Sequence, residues 1–229
     1  MRDLVFYTCF LGSDYNWANL IPICPSTTYP CYYFTNNMNN FNRAKSANWT
    51  PIFVDIEIKH DMIESSFQSK IFKSCPHTFD ILEKHKYSCY FDSKHNVNVE
   101  KIEELVDILE NSDYSIILPK HPSKFTCIWE EFDLAMQFDK YKAEKDKSLA
   151  YIENQLTTLS DKVKYHLATQ FIIRKHTEKT RELNELWYKH IQECGIMCQL
   201  SFFFIQQLYS DIVYPIEYLQ CYCYCYPVL

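Results

Sequence analysis

The chain has 229 residues, a formal net charge of −6 and a pI near 5.7. That acidity argues against a clustered basic footprint for nucleic acid. Its longest apolar runs, around Leu200 to Ile205 and Ser115 to Leu118, fall far short of the roughly 20 residues needed to cross a bilayer.

Taken in chain order, Leu4 to Phe10 and Cys31 to Thr35 are aromatic and β-branched runs bounded by turn formers, the pattern of buried strands. Pro51 to Ile56 is a third strand, and Ser66 to Cys75 is a short helix that Pro76 closes. Tyr87 to Phe91 is the next strand. In Asn98 to Asn111, Ile102, Leu105, Val106 and Leu109 recur at helical spacing with acids opposite. Tyr114 to Leu118 is a strand stopped by Pro119. From Trp129 to Leu159 the chain is charged and helical, as two helices or one kinked one, and residues 129–160 have the character of a surface lid. Phe171 to Ile173 is a short buried strand that delivers Arg174 and His176 to a rim. Helices follow over Thr177 to Cys194 and Cys198 to Tyr209, separated by Gly195 as a C-terminal cap.

Strands alternating with helices predict one α/β domain over 1–229, a Rossmann-like, mostly parallel sheet flanked by helices. The eleven cysteines scatter through apolar runs as free thiols do. Only Cys221, Cys223 and Cys225, in the terminal Cys/Tyr-rich segment 215–229, alternate onto one strand face. The opening Met1-Arg2-Asp3-Leu4 runs straight into strand without a leader pattern, so the cytoplasm is the expected location. Two glycines in the whole chain, Gly12 and Gly195, build neither a P-loop nor a dinucleotide fingerprint. Enrichment in Asn, Lys, Tyr and Phe suggests an A+T-rich genome, as in a virus, protist or low-GC bacterium.

In parallel sheets ligands bind at the carboxyl ends of the strands. The residues there are Thr8, Cys9 and Gly12, then Thr35 and Asn36, then Asp92, Ser93 and Lys94, then Lys120 and His121, then Arg174 and His176. One carboxylate, two imidazoles and several cations suit a diphosphate better than a hydride-transfer cofactor.

Several short motifs occur in a fixed order: Tyr7-Thr8 with Gly12, Tyr33-Phe34-Thr35-Asn36, Lys73 before Pro76-His77, and Tyr90-Phe91-Asp92-Ser93-Lys94. They are followed by His121-Pro122, Cys127-Ile128-Trp129-Glu130-Glu131, Arg174-Lys175-His176, Asn184-Glu185-Leu186-Trp187 and Gln199-Leu200-Ser201-Phe202. In this order the chain resembles a family of glycosyltransferase-like proteins, long carried as a domain of unknown function and typified by plant mucilage-related (MUCI-type) and turgor-defect-type proteins. The resemblance implies a glycosyltransferase A fold, a nucleotide-sugar donor, and a glycan, lipid-linked or protein acceptor. It also implies a divalent metal, manganese or magnesium, held by Asp92 with His176 across the sheet. No Asp-x-Asp occurs, Asp55-Ile56-Glu57 being the nearest spelling.

On this reading Asp92, Glu131 and Gln199 serve catalysis. Tyr7, Thr8, Gly12, Lys73, His77, Lys94, His121 and Arg174 bind the donor, with Arg174 as the phosphate clamp. Asn184 and Trp187 meet the acceptor, while the lid supplies exposed aromatics for a homodimer. Where relatives carry Arg-Asp before Gln199, this chain has Met197 and Cys198. That departure makes a catalytically degenerate nucleotide- or sugar-binding module the alternative. A nucleotidyltransferase is disfavoured by the lack of a glycine-rich loop and of clustered acids for two metals.

Overall fold

The computed structural model describes residues 2–13, 21–93, 95–218 and 222–224. Lys94, Cys221 and Cys225 therefore lie outside the described residues, and Cys223 is described by its backbone alone.

In chain order the elements are β1 (Leu4–Cys9), β2 (Cys31–Thr35), α1 (Met38–Ser46), β3 (Thr50–Phe53) and α2 (Met62–Ser74). A 3-10 turn at Pro76–Thr78 leads to α3 (Asp80–Glu83), β4 (Tyr87–Phe91), β5 (His95–Val97), α4 (Val99–Glu110) and β6 (Ile116–Pro119). The charged stretch is α5 (Ile128–Ala135), α6 (Asp139–Lys142) and α7 (Lys145–Gln155). The chain continues with β7 (Phe171–Lys175), α8 (Glu178–Cys194), α9 (Cys198–Leu208), β8 (Val213–Ile216) and β9 (Tyr222–Tyr224).

Seven strands form one sheet in the order β3-β2-β1-β4-β7-β6-β8, and β5 pairs with β9 in a small antiparallel ribbon. The pairings β1–β2, β1–β4, β2–β3 and β6–β8 are parallel. β7 is inserted antiparallel between β4 and β6, with Tyr87 opposite Lys175 and Phe91 opposite Phe171. The sheet is thus mostly parallel as expected, but one strand runs the other way, and that reversal decides which residues meet.

All six residues of β1 are buried because helices cover both faces. Alternation sends Leu4 and Phe6 towards a layer containing Trp49 and the apolar stripe Ile102, Leu105, Val106 and Leu109 of α4. It sends Val5, Tyr7 and Cys9 towards Phe72, Trp187 and Phe202 of α2, α8 and α9. A third cluster, with Ile128, Phe132, Ile152 and Phe203, ties α5 and α7 to α9.

Local capping explains where the helices begin. Asp61 accepts from the N–H groups of Ile63 (2.8 Å) and Glu64 (3.0 Å), which starts α2 four residues ahead of the predicted Ser66. Asn37 caps the unpredicted α1 by accepting from Asn39 (2.9 Å) and Asn40 (3.3 Å). Asn98 and Asn111 bound α4, and Thr177 caps α8.

Gly195 ends α8 at φ +120, its N–H donating to Ile191 O at 2.9 Å. A Cβ there would come within 2.8 Å of Glu144 Oε2, the oxygen that accepts from Ile196 N at 2.7 Å. Gly195→Ala is expected to lower stability by about 1–2 kcal/mol, from the left-handed backbone and the displaced carboxylate together, measured by urea unfolding.

Candidate active site

The carboxyl end of β4 carries Asp92, whose side chain is 29% exposed. Its Oδ1 accepts from the Tyr90 hydroxyl at 2.8 Å and from the Lys73 ammonium at 3.2 Å. Lys73 comes from the last turn of α2 and is only 7% exposed. Burial works against its charge, but Asp92, Cys198 and Cys9 hold its pKa above the ordinary lysine value. One turn earlier, Lys70 Nζ lies 3.6 Å from Cys198 Sγ, which also meets the Thr169 hydroxyl at 3.3 Å. Burial alone would push the Cys198 thiol up, but Lys70, Lys73 and Thr169 together leave it below the usual thiol value. Burial raises the pKa of Tyr141 on α6, with smaller contributions from Cys198, Asp92 and Glu131. Gly12, at φ +113, turns the chain beside it, donating to Asn36 Oδ1 at 2.9 Å and accepting from Asn37 Nδ2 at 3.2 Å.

A second group lies beyond β6. Glu131 of α5 is fully buried, with His121 Nε2 at 3.4 Å and His166 Nε2 at 3.3 Å from its Oε2. Gln199 Nε2 donates to its Oε1 at 2.9 Å. His121 Nδ1 accepts from Ser123 N at 3.2 Å, which assigns the proton to Nε2, facing the carboxylate. Burial lowers the His121 pKa while Glu131 raises it, and the net is downward. Both ring nitrogens of His166 and Glu131 Oε2 are buried without a hydrogen-bond partner, so the approach of Nε2 to Oε2 is a charge contact and not a hydrogen bond. Both imidazoles line a cleft of about 440 Å³ with Lys120, Lys124, Lys164, Glu217 and Tyr218. The cleft opens at the same end of the sheet as Asp92, two strand spacings or roughly 10 Å away.

Several residues expected at the rim are elsewhere. Because β7 is antiparallel, His176 sits at the amino end of β4, its N–H on Lys86 O at 2.9 Å and its Nε2 2.8 Å from Ser88 Oγ. Asp92, by contrast, bonds to Gln170 O at 2.9 Å, just ahead of β7. In this register His176 stands opposite Lys86, six strand positions from Asp92 (92 − 86) or roughly 20 Å along the strand, so Asp92 and His176 do not share a metal.

Arg174 is 1% exposed and not a rim clamp. It donates to Lys73 O (2.7 Å), Asn184 Oδ1 (3.1 Å) and Tyr7 Oη (3.4 Å), inside the layer between sheet and helices. Tyr7, Asn184 and Trp187 are buried there, while Thr8 is buried on the opposite face of β1, its hydroxyl without a hydrogen-bond partner and outside this group. Trp187 donates to Ser201 Oγ at 3.1 Å, so neither it nor Asn184 faces an acceptor. His77 closes the same chain, 3.5 Å from Asn184 Nδ2 and 3.3 Å from Glu185 Oε1. These residues form a buried polar network that supports the rim from beneath. Lys70, His166 and Thr169 stand in none of the sequence motifs; Lys70 alone has a local signal, its one-turn spacing from Lys73 on the face of α2.

Burial first, then Arg174, lowers the His176 pKa to about 4 from the ordinary 6.5. A depressed histidine favours the fold above pH 6.5, and that contribution is lost as pH falls through about 4, because the unfolded chain binds the extra proton. The expected loss is about 3 kcal/mol between these limits, read as a fall in urea midpoint from neutral to acid pH. His176→Gln should flatten it.

The donor set does not fit a divalent ion held by the protein. Asp92 Oδ1 already faces an ammonium, and His176 lies at the far end of the strand. Among the described residues no three His, Cys, Asp or Glu side chains converge as metal ligands.

The fold is of the glycosyltransferase A type. It is similar to the apo crystal structure of mouse xyloside xylosyltransferase 1, at a TM-score of 0.54 and 9% identity over 93% of this chain and 84% of that one. It is also similar to the Saccharomyces cerevisiae mannosyltransferase Ktr4p, at a TM-score of 0.50 and 10% identity over 97% and 70%. No curated protein matches the sequence. The TOD1/MUCI70 glycosyltransferase-like domain matches residues 33–220, most of the sequence, and the chain belongs to that family.

Proposed function

We propose that this protein is a glycosyltransferase that moves a sugar from a nucleotide-sugar donor to a hydroxyl group of a glycan or other acceptor. The observation that carries the reading is the pair of sites at one end of the sheet. A cation-rich rim at Asp92, Lys73 and Lys70 is joined through neighbouring Cys198 and Gln199 to the Glu131–His166 cleft. The donor diphosphate lies at the rim and the acceptor enters the cleft. Attack by the acceptor oxygen on the anomeric carbon breaks the bond to the diphosphate, which leaves with the electron pair. The acceptor proton passes to His166 Nδ1, and the nearby Glu131 carboxylate stabilises the imidazolium. α5 and α7 are held to α9 by a buried cluster, so the covering role falls to α6 between them, and the exposed Phe138 that precedes α6 is the anchor for self-association.

No helix among the described residues is long and apolar enough to cross a membrane, and the buried free thiols Cys9, Cys75, Cys89 and Cys194 support a cytoplasmic setting. Incubation with uridine and guanosine diphosphate sugars, with manganese, magnesium or chelator, should give donor hydrolysis and a thermal shift. Failure of every nucleotide sugar and free nucleotide to bind sinks the reading. Cys198 in place of the family's acid favours a second one, a binding module without turnover, for which nucleotide binding with no transfer to any acceptor is the signature.

A further inference from the structure

Two lysines of α2 stand one helical turn apart at the rim, and each is held by a different partner. Lys73 Nζ is 3.2 Å from Asp92 Oδ1, and Lys70 Nζ is 3.6 Å from Cys198 Sγ. Cys198 is the first residue of α9, where the positive end of the helix dipole favours negative charge. Thr169 holds the sulfur from the other side at 3.3 Å. The ammoniums are thus fixed before any ligand arrives, which is the preorganisation that charge stabilisation of a leaving group requires. A divalent ion on Asp92 Oδ1 would have to enter against the Lys73 ammonium already on that oxygen.

We propose that Lys70 and Lys73 themselves neutralise the donor diphosphate, so that nucleoside diphosphate binds and departs without a divalent ion, while Asp92 and Cys198 act as positioning residues for the two ammoniums. This rests on the glycosyltransferase reading and names how that site handles charge. As the acceptor oxygen bonds to the anomeric carbon, the bond from that carbon to the diphosphate breaks. The electron pair goes to the terminal phosphate oxygen, the acceptor proton goes to His166, and the new phosphate charge falls between the two ammoniums.

Calorimetry with ADP, CDP, GDP and UDP, first in EDTA and then with manganese or magnesium, tests this. At least one nucleotide is expected to bind in EDTA, with its affinity changed less than about threefold by either metal. Lys73→Gln should weaken binding in EDTA by about tenfold or more, the scale of one hydrogen bond between charged groups, and Lys73→Arg should retain most of it. Cys198→Ala should weaken it by a smaller factor that Cys198→Asp restores. Should Lys73→Gln fail to fold by thermal melting, the half-buried Lys70→Gln carries the same test, and no effect of it in EDTA overturns the proposal. Binding that appears only with metal overturns the proposal while leaving the glycosyltransferase reading in place. No binding under either condition removes that reading and the proposal with it.

Discussion

Arg174→Ala is expected to destabilise the fold by about 3–5 kcal/mol, the scale of breaking a buried, hydrogen-bonded charge site, and to do so before any effect on ligand binding is seen. The guanidinium is 1% exposed and supplies all its contacts to neutral acceptors on three different elements. Its 2.7 Å bond to Lys73 O satisfies a carbonyl in the last turn of α2, where a cation also complements the helix dipole. Truncation leaves Lys73 O, Tyr7 Oη and Asn184 Oδ1 without this donor and opens a cavity beneath α2. Arg174→Lys should recover less than half of the loss, because one ammonium cannot span three acceptors that a planar fork reaches. The measurement is urea unfolding of both variants. Unchanged stability with weakened nucleotide affinity would return Arg174 to the role of phosphate clamp.

That reassignment shows what the sequence could carry and what it could not. The helix α4 was legible nearly to the residue, since four apolar positions at helical spacing fall between two asparagines that cap it. β4 was legible because its five residues are buried and Asp92 follows at once. The direction of β7 was not. Phe171, Ile172 and Ile173 are buried on both faces, and such a run reads the same whichever way it enters the sheet. One unread reversal moved His176 to the far end from Asp92 and placed Arg174 within the packed layer. The helix α1 was missed because its segment is rich in asparagine and polar residues, with only Asn40 and Ala44 buried, so local capping rather than periodicity defines it.

The site divides along the same line. Asp92, Lys73, His121, Glu131 and Gln199 were legible as motif residues, and the fold brings them into two neighbouring groups. His166 lies in a segment without regular structure, and its partner Glu131 is 35 residues away (166 − 131). No local pattern announces such a contact. Lys70 meets Cys198 across 128 residues, again a tertiary contact that only the packing of α2 against α9 creates.

Loss of the proton acceptor should have the largest effect on turnover. His166→Ala is expected to lower the rate of sugar transfer by about 10²–10⁴-fold, the usual contribution of one positioned acid–base group. Nucleotide affinity should stay within about threefold, since the rim and the cleft are separated by roughly 10 Å. Glu131→Gln tests how the imidazole is held. Glutamine preserves the size of a fully buried side chain and can still accept from Gln199, but it removes the charge facing His121 and His166. It should lower kcat with little change in the donor KM, because the carboxylate acts through the imidazole and touches neither donor nor rim. Single-turnover transfer, measured beside thermal melting to exclude unfolding, separates the roles. Full transfer by a folded His166→Ala variant would take the base away from this cleft, whereas a fall in donor affinity that matches the fall in kcat would make Glu131 part of the scaffold instead of a positioning residue.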